Sequence, residues 1–166
     1  MKRFQRILVH VDTRSDVGPL VDRATNLAKK HGAALTFVDV LPEEIWSARS
    51  EQVDVEDLRK LLLDKKESAI DGLVAKARQQ DVTANGRVLS GRTSVEIISA
   101  VTQENIDLVM KMAKGSESPR LGFVGTTAAR LLRYCPCTVW AYRPSPAAGV
   151  PRIAAAVDAA AADEKH

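Results

Sequence analysis

The chain has 166 residues, a net charge of +3 at pH 7 and a hydrophobic fraction of 45%. A chain of this length can bury a core of its own as one domain, and the composition excludes global disorder. No apolar run approaches the roughly 18 residues that cross a bilayer, and no signal-type apolar segment follows the basic start Met1–Arg3. This predicts a cytoplasmic protein without a membrane partner. An aromatic fraction of 4% and well-mixed charges argue against nucleic-acid binding.

The first predicted element is a strand at Arg6–Val11, which is dense in aliphatic and β-branched residues. Such a continuous apolar run is typical of a strand that is buried on both faces of a parallel sheet. Apolar residues then recur at helical spacing from Val17 to Ala28. We expect Asp16 to cap this helix and Gly32 to end it.

The following segments alternate between strand and helix patterns. We predict strands over 33–41, 82–89, 106–110 and 137–142, and helices over 54–80, 94–102 and 126–134. Thr93 and Glu96 have the spacing of a capping box at the start of the third helix. The segment 113–124 is rich in Gly, Ser and Pro, which predicts a loop.

This alternation predicts an α/β fold: a five-stranded parallel sheet with helices on both faces, of the Rossmann-like type. In such sheets, ligands bind beyond the carboxyl ends of the strands, where the strand order switches. Those ends lie at Asp12, Val40 and Lys111, together with the loop that follows Lys111. The topology alone therefore places the candidate site there.

A glycine pattern in the same loop is suited to phosphate. Gly115 is followed after nine residues by Gly125 and Thr126, which begin a predicted helix. Glycines let the backbone amides approach a phosphate, and a helix N-terminus adds a favourable dipole. Lys111 and Lys114 could add positive charge, and Asp12 could accept a hydrogen bond from a ribose or base. Alone, this pattern more often marks a loop glycine and a helix cap.

With these residues in place, the chain resembles the universal stress protein family over residues 4–143, a family with an adenine nucleotide alpha hydrolase-like fold. The family's nucleotide motif is Gly-x2-Gly-x9-Gly-Ser/Thr after the fourth strand. Gly115, Gly125 and Thr126 match its second, third and fourth places. The resemblance further matches Asp12 to the acidic residue that ends the first strand, and Val40 to the position whose backbone meets adenine.

Met112 stands in the place of the first motif glycine, and we expect its side chain to project against a nucleotide. The resemblance thus implies a stress-response domain that acts through dimerisation and partner binding, with a degraded nucleotide site and no cofactor. The alternative is a competent ATP-binding stress sensor that holds ATP or ADP with Mg²⁺ and hydrolyses it slowly at most.

An enzymatic role is not expected. No Ser/His/Asp, Cys/His or paired-carboxylate arrangement stands out in the sequence. An enzyme of the related ATP-pyrophosphatase or flavoprotein-like class would need a phosphate signature after the first strand. The segment Asp12–Asp16 at that position has no glycine and contains two acids.

A homodimer is expected from the resemblance, because the last strand of the family domain often pairs with its mate across a two-fold axis. The apolar segment Cys137–Tyr142 would serve as such an edge. Further protein partners are expected as well, of a kind that the sequence does not name.

The end of the chain, 144–166, is predicted to be a linker and tail after a domain at 1–143. Within it, Arg152–Asp158 repeats the Arg, Ile, Val and Asp of Arg6–Asp12 at an offset of 146. This repeat predicts the opening strand of a second copy. It fits the tandem E-type universal stress proteins, whose first domain the chain resembles most closely over Ile106–Ala113 and Leu131–Pro136. The other interpretation is an alanine-rich tail with chance matches.

Cys135 and Cys137 flank Pro136 and are the two cysteines of the chain. Such a pair is compatible with a redox site or with half of a metal site. The alternative is that two small apolar side chains lead into a buried strand in a reducing compartment.

Overall fold

The computed structural model describes residues 4–42, 55–113 and 125–143, together with the backbone of a strand at 152–157. Its strands are β1 (Arg6–His10), β2 (Ala34–Leu41), β3 (Ala84–Ser90), β4 (Leu108–Met112), β5 (Thr138–Arg143) and β6 (Arg152–Val157). Its helices are α1 (Gly18–His31), α2 (Val55–Arg78), α3 (Thr93–Glu104) and α4 (Thr126–Tyr134).

The six strands form one sheet in the order β3-β2-β1-β4-β5-β6. β1 to β5 are parallel, which confirms the predicted five-stranded parallel sheet, and β6 adds an antiparallel strand beside β5. The chain builds outward from β1 through β2 to β3 and then returns to add β4 on the other side. The strand order therefore switches between β1 and β4, where a ligand crevice is expected in this class of fold.

Two apolar layers cover the sheet, one on each face. On one face, side chains of β1 and β2 pack against α1 and α2, with Leu20, Val21, Ile70 and Val74 as the main helical contributions. On the other face, Leu8 and Val109 pack against α3 and α4. The strands are buried on both faces, as expected from their continuous apolar runs. No helix among the described residues is long and apolar enough to cross a membrane.

The predicted ends of α1 are largely correct. Gly32 adopts φ 65°, and its amide bonds to the carbonyls of Ala28 and Lys29, because a left-handed residue lets the chain turn back onto the last helical turn. At the other end, the N-cap position is Val17 rather than Asp16. The Asp16 carboxylate still accepts a hydrogen bond from the Gly18 amide at 2.9 Å, so it satisfies one amide of the first turn.

The capping box predicted at Thr93 and Glu96 is wrong. The N-cap residue of α3 is Arg92, which has no side-chain cap bond, and Thr93 is the first helical residue. The Arg92 carbonyl already accepts from the amides of Val95 and Glu96. The spacing of a capping box does not show which residue is the N-cap, and α3 begins at Thr93, one residue earlier than predicted.

β6 changes the expected edge of the sheet. Val139 to Arg143 of β5 pair with the strand Arg152–Val157. The segment predicted as linker and tail therefore contributes a strand, at the position of the weak repeat. As a consequence, β5 is an interior strand in this structure, and the edge that was expected to form a dimer is already paired within the chain. Whether β6 opens a second domain stays a prediction.

Candidate functional site

A small pocket lies at the carboxyl ends of β1, β2 and β4, where the topology predicted a site. Its volume is about 60 Å³. The residues that line it are His10, Asp12, Arg14, Asp39, Val40, Pro42, Thr93, Lys111 and Thr127. The pocket thus collects polar side chains from three neighbouring strands and from the first turns of α3 and α4.

Asp12 follows β1 and is held by Arg14. Its two carboxylate oxygens accept from the Arg14 guanidinium at 2.9 and 3.0 Å, and one also accepts from the Arg14 amide at 3.2 Å. The hydrogen bonds from Arg14 hold the pKa of Asp12 well below its usual range. The Arg14 side chain is 70% exposed, so this ion pair forms the open rim of the pocket.

Asp39 lies on β2 and is almost completely buried. Its Oδ2 atom accepts from the Lys66 ammonium at 2.6 Å, and from the hydroxyl and amide of Thr13 at 2.6 and 3.1 Å. Its Oδ1 atom accepts from the Val40 amide at 2.7 Å. Burying two opposite charges is costly and is compensated only when hydrogen bonds satisfy both groups. This pair therefore ties α2 and the turn after β1 to the end of β2.

His10 and Lys111 form a second buried contact in the wall of the pocket. They are register partners on β1 and β4, each is 6% exposed, and Lys111 Nζ lies 3.0 Å from His10 Nδ1. Burial, and then the nearby charge of Lys111, lower the pKa of His10 from 6.5 to about 3. At neutral pH, the imidazole is therefore uncharged, and its Nδ1 accepts a hydrogen bond from Lys111.

The N-terminus of α4 completes the pocket wall. Gly125 precedes the helix with φ 87°, a backbone conformation that favours glycine. Thr126 begins the helix and is exposed, whereas its neighbour Thr127 lines the pocket. Val40 also lines the pocket, and its contact with a nucleotide stays a prediction. Gly115 and Lys114 lie outside the described residues.

Met112, which was expected to project against a nucleotide, packs away from the pocket. It is partly buried and packs with Met110 into the apolar layer under α1 and α2, and it is not among the residues that line the pocket. Side chains alternate along a strand, so Lys111 faces the pocket and Met112 faces away from it. Met112 therefore does not narrow this pocket, whereas Lys111 and His10 line it, and an obstruction of a nucleotide by Met112 stays a prediction.

Several site residues had no role in the sequence interpretation, above all Asp39, Lys66, Thr13 and Arg14. One signal was available for Asp39, because it is a single acid within an apolar strand. For Lys66 the signal was weaker: it lies four residues from both Leu62 and Ile70, on the helix face that these residues share. Neither pattern shows that the two side chains meet.

A second groove adjoins the pocket and shares Pro42, Thr93 and Thr127 with it. It has a volume of about 340 Å³, and Gly91, Arg92, Ser94 and Arg130 complete its lining. The groove therefore runs between the first turns of α3 and α4 and carries two arginines.

Residues 3–143 match the model of the Universal stress protein family. No match was found among curated proteins. Among solved structures, the universal stress protein UspA from Lactobacillus plantarum is 29% identical, with 86% of this chain and 100% of that chain covered and a TM-score of 0.64.

Two further structures share the fold at lower identity. The hypothetical protein MJ0577 is 13% identical, with 88% of this chain and 100% of that chain covered and a TM-score of 0.74. A universal stress protein in complex with cAMP is 16% identical, with 83% of this chain and 95% of that chain covered and a TM-score of 0.60.

Proposed function

The chain belongs to the universal stress protein family, and from this premise we propose that it is a stress-response domain with a degraded adenine-nucleotide site, acting through contacts with other protein chains. One observation carries this proposal. The buried polar side chains at the carboxyl ends of the strands are bonded to one another, His10 to Lys111 and Asp39 to Lys66. Three of these groups, His10, Asp39 and Lys111, line the pocket at the strand ends, where this class of fold binds ligands.

The available space supports the proposal. Small-molecule sites have volumes of roughly 300–1,000 Å³, so a pocket of about 60 Å³ is far smaller than a nucleotide site. A nucleoside would need His10 and Lys111 to move. Both side chains are fixed by burial and by their mutual hydrogen bond, and leaving either one buried without that bond would cost about 1–3 kcal/mol.

Asp12 is a smaller obstacle than this buried pair. An exposed ion pair is worth at most about 1 kcal/mol, so Arg14 can leave the Asp12 carboxylate at little cost. The obstruction in our proposal therefore comes from the pair His10–Lys111 and not from the rim or from Met112.

The segment after β1 argues against the related enzyme class. Of its two acids, Asp12 holds Arg14 and Asp16 accepts from the Gly18 amide. This places carboxylates where such an enzyme would offer amides to a phosphate. We therefore propose a binding role without an enzymatic one.

A competent nucleotide site is the second candidate, and the adjoining groove favours it. A volume of about 340 Å³ is within the range of small-molecule sites, and Arg92 and Arg130 would pair with phosphate oxygens. The relative in complex with cAMP is a precedent within this fold. In this candidate, ATP or ADP with Mg²⁺ would contact Asp12, Val40, Lys111, Gly115, Gly125 and Thr126.

Calorimetric titration of MgATP into the unchanged chain and two variants tests the first proposal against the second. We expect no binding heat for the unchanged chain or for Met112→Gly, since Met112 faces away from the pocket. The double variant His10→Ala with Lys111→Met should gain measurable affinity. Binding by the unchanged chain would support the second candidate, and binding gained by Met112→Gly alone would contradict the role of the buried pair.

A homodimer through the edge of the sheet is part of the proposal. Because β6 covers β5, we place the contact at the outer edge of β6, where two strands could pair antiparallel across a two-fold axis. Light scattering on the full chain and on a chain ending at residue 147 tests this placement. Loss of the dimer on shortening supports β6, whereas a dimer that forms only after shortening shows that β5 is the contact.

A further inference from the structure

We propose that Cys135 and Cys137 form a reversible disulfide when the protein meets a peroxide, so that the turn between α4 and β5 is an oxidation site. The two Sγ atoms lie 3.5 Å apart across Pro136. The chain contains no other cysteine. Both thiols are reduced in the structure.

The surroundings hold the two sulfurs towards each other. Cys135 ends α4, where its amide bonds to the Leu131 carbonyl, and its side chain packs in the apolar layer with Leu131 and Val139. Cys137 immediately precedes β5 and packs at the border of the same layer. Because a helix end and a strand start fix the two backbones, the thiols meet without a rearrangement of either element. Closing the gap to about 2.05 Å, the length of a disulfide bond, needs only side-chain rotation and a small adjustment of the turn.

The two thiols differ in reactivity. A hydrogen bond from Cys137 lowers the pKa of Cys135, and the same contact together with burial raises the pKa of Cys137. The thiolate is the form that attacks oxidants. Cys135 is therefore the first sulfur to react, and Cys137 is the thiol that resolves the product. Cys135 is 5% exposed, and hydrogen peroxide is close to water in size.

The reaction balances in two steps with hydrogen peroxide as the oxidant. The Cys135 thiol ionises, its thiolate attacks one peroxide oxygen, the O–O bond breaks, and the departing hydroxide takes the proton that Cys135 released to become water. The Cys137 sulfur then attacks the sulfenic acid sulfur, the S–S bond forms, and the released hydroxide takes the Cys137 proton as a second water. Two thiols are oxidised by two electrons, and one peroxide is reduced to two waters.

This pair is distinct from the pocket, since neither cysteine lines it. It lies at the C-terminal end of α4, whereas Gly125 and Thr127 lie at the N-terminal end. The inference therefore does not depend on whether the domain binds a nucleotide.

The test uses the full chain, reduced and then freed of reductant, and treated with hydrogen peroxide at a small molar excess. We expect both thiols to disappear together, the mass to fall by two hydrogens, and the chain to remain uncrosslinked on a non-reducing gel. Dithiothreitol should restore both thiols. Thiols that persist, a mass that only rises by oxygen atoms, or a crosslink between chains would overturn the inference.

Two variants assign the roles of the sulfurs. In Cys137→Ser, we expect a sulfenic acid at Cys135 that dimedone traps. In Cys135→Ser, the remaining Cys137 thiol should react with peroxide at least about tenfold more slowly than Cys135 does, because its pKa is not lowered. If both variants reacted at the rate of the unchanged chain, the pair would not act as a unit. The measurements on the unchanged chain decide the inference even if a variant folds poorly.

Discussion

The two ends of the parallel sheet carry polar residues in different ways. At the carboxyl end, four polar residues are at most 8% exposed and form two hydrogen-bonded pairs, His10 with Lys111 and Asp39 with Lys66. At the amino end, the Asp107 carboxylate accepts from the amides of Gln5 and Arg6 at an exposed position. Buried charges cost free energy unless they are paired, whereas exposed ones do not. The carboxyl end is therefore where the sequence departs from what stability alone favours.

Judged by cavity volume alone, the amino end of the sheet would be the better candidate for a binding site. A groove of about 440 Å³ at the amino end, lined by Arg6, His31 and Thr83 among others, is much larger than the pocket of about 60 Å³ at the carboxyl end. The amino-end groove has no buried charged side chain in its lining. Chemistry rather than size distinguishes the two ends, and variants at each end can test that difference.

The largest effect is expected at Asp39. Asp39→Ala removes the partner of a buried Lys66 ammonium, and we expect a loss of about 3–5 kcal/mol in the free energy of unfolding. The double variant with Lys66→Met should recover much of that loss, because no buried charge is then left alone. Urea denaturation measures both values. Equal stability of the single and double variants would show that the pair is not coupled.

The second effect is a pH dependence that arises from His10. Its folded pKa of about 3 lies below the unfolded value, so the unfolded chain binds the proton first as the pH falls. Above about pH 6.5, His10 is neutral in both the folded and the unfolded chain, and its contribution to the free energy of unfolding is fully present. As the pH falls from 6.5 towards 3, this contribution is lost, because only the unfolded chain binds the proton. The loss is about 1.4 kcal/mol per pH unit, or about 2 kcal/mol at pH 5.

Several charges face His10 and belong to this prediction. Lys111 and Lys66 disfavour its protonation, whereas Asp39 and Asp12 favour it. Urea denaturation between pH 7 and pH 5 should show the slope in the unchanged chain and a shallower slope in His10→Gln. The measurement ends at pH 5 because most carboxylates titrate below that pH and would add their own pH dependence. An unchanged slope in the variant would contradict the assignment to His10.

A smaller effect is expected at the amino end. Asp107→Ala removes the acceptor of the Gln5 and Arg6 amides, but water can replace it at an exposed position. We expect a loss of about 1 kcal/mol in the free energy of unfolding. A loss as large as that of Asp39→Ala would remove the distinction between the two ends of the sheet.

The smallest effect is expected at the rim of the pocket. Arg14→Gln breaks the ion pair with Asp12, but the Arg14 side chain is 70% exposed and water solvates both groups. The free energy of unfolding should fall by less than about 1 kcal/mol, and the loss should shrink further in high salt. A larger, salt-independent loss would show that the rim is as constrained as the buried pairs.

The fold was largely predictable, because continuous apolar runs and helical spacing are local signals. The bounds of α4, Thr126–Tyr134, agree with the prediction in full. The capping box at Thr93 failed because its spacing fits both a cap and a first helical turn. The strand at Arg152–Val157 was suggested by a repeat, but its antiparallel pairing with β5 depends on a tertiary contact.

The site was less predictable than the fold. Asp39 and Lys66 are 27 residues apart in the sequence. No local sequence pattern shows that a lysine will be buried in an ion pair with a carboxylate so far along the chain. The direction of Met112 could have been inferred, since Met110 and Met112 share a strand face and Lys111 has the other. That alternation is why our proposal assigns the obstruction to Lys111 and His10 rather than to Met112.

The most direct test of the central claim is the nucleotide content of the unchanged protein. The protein is purified gently and denatured, the supernatant is assayed for released adenine nucleotide by ion-pair chromatography, and MgATP is then titrated calorimetrically into the folded chain. We expect no released nucleotide and no binding heat, because in our proposal His10 and Lys111 occupy the site. Near-stoichiometric nucleotide, or micromolar affinity for MgATP, would contradict it and would make the domain an ATP-binding stress sensor.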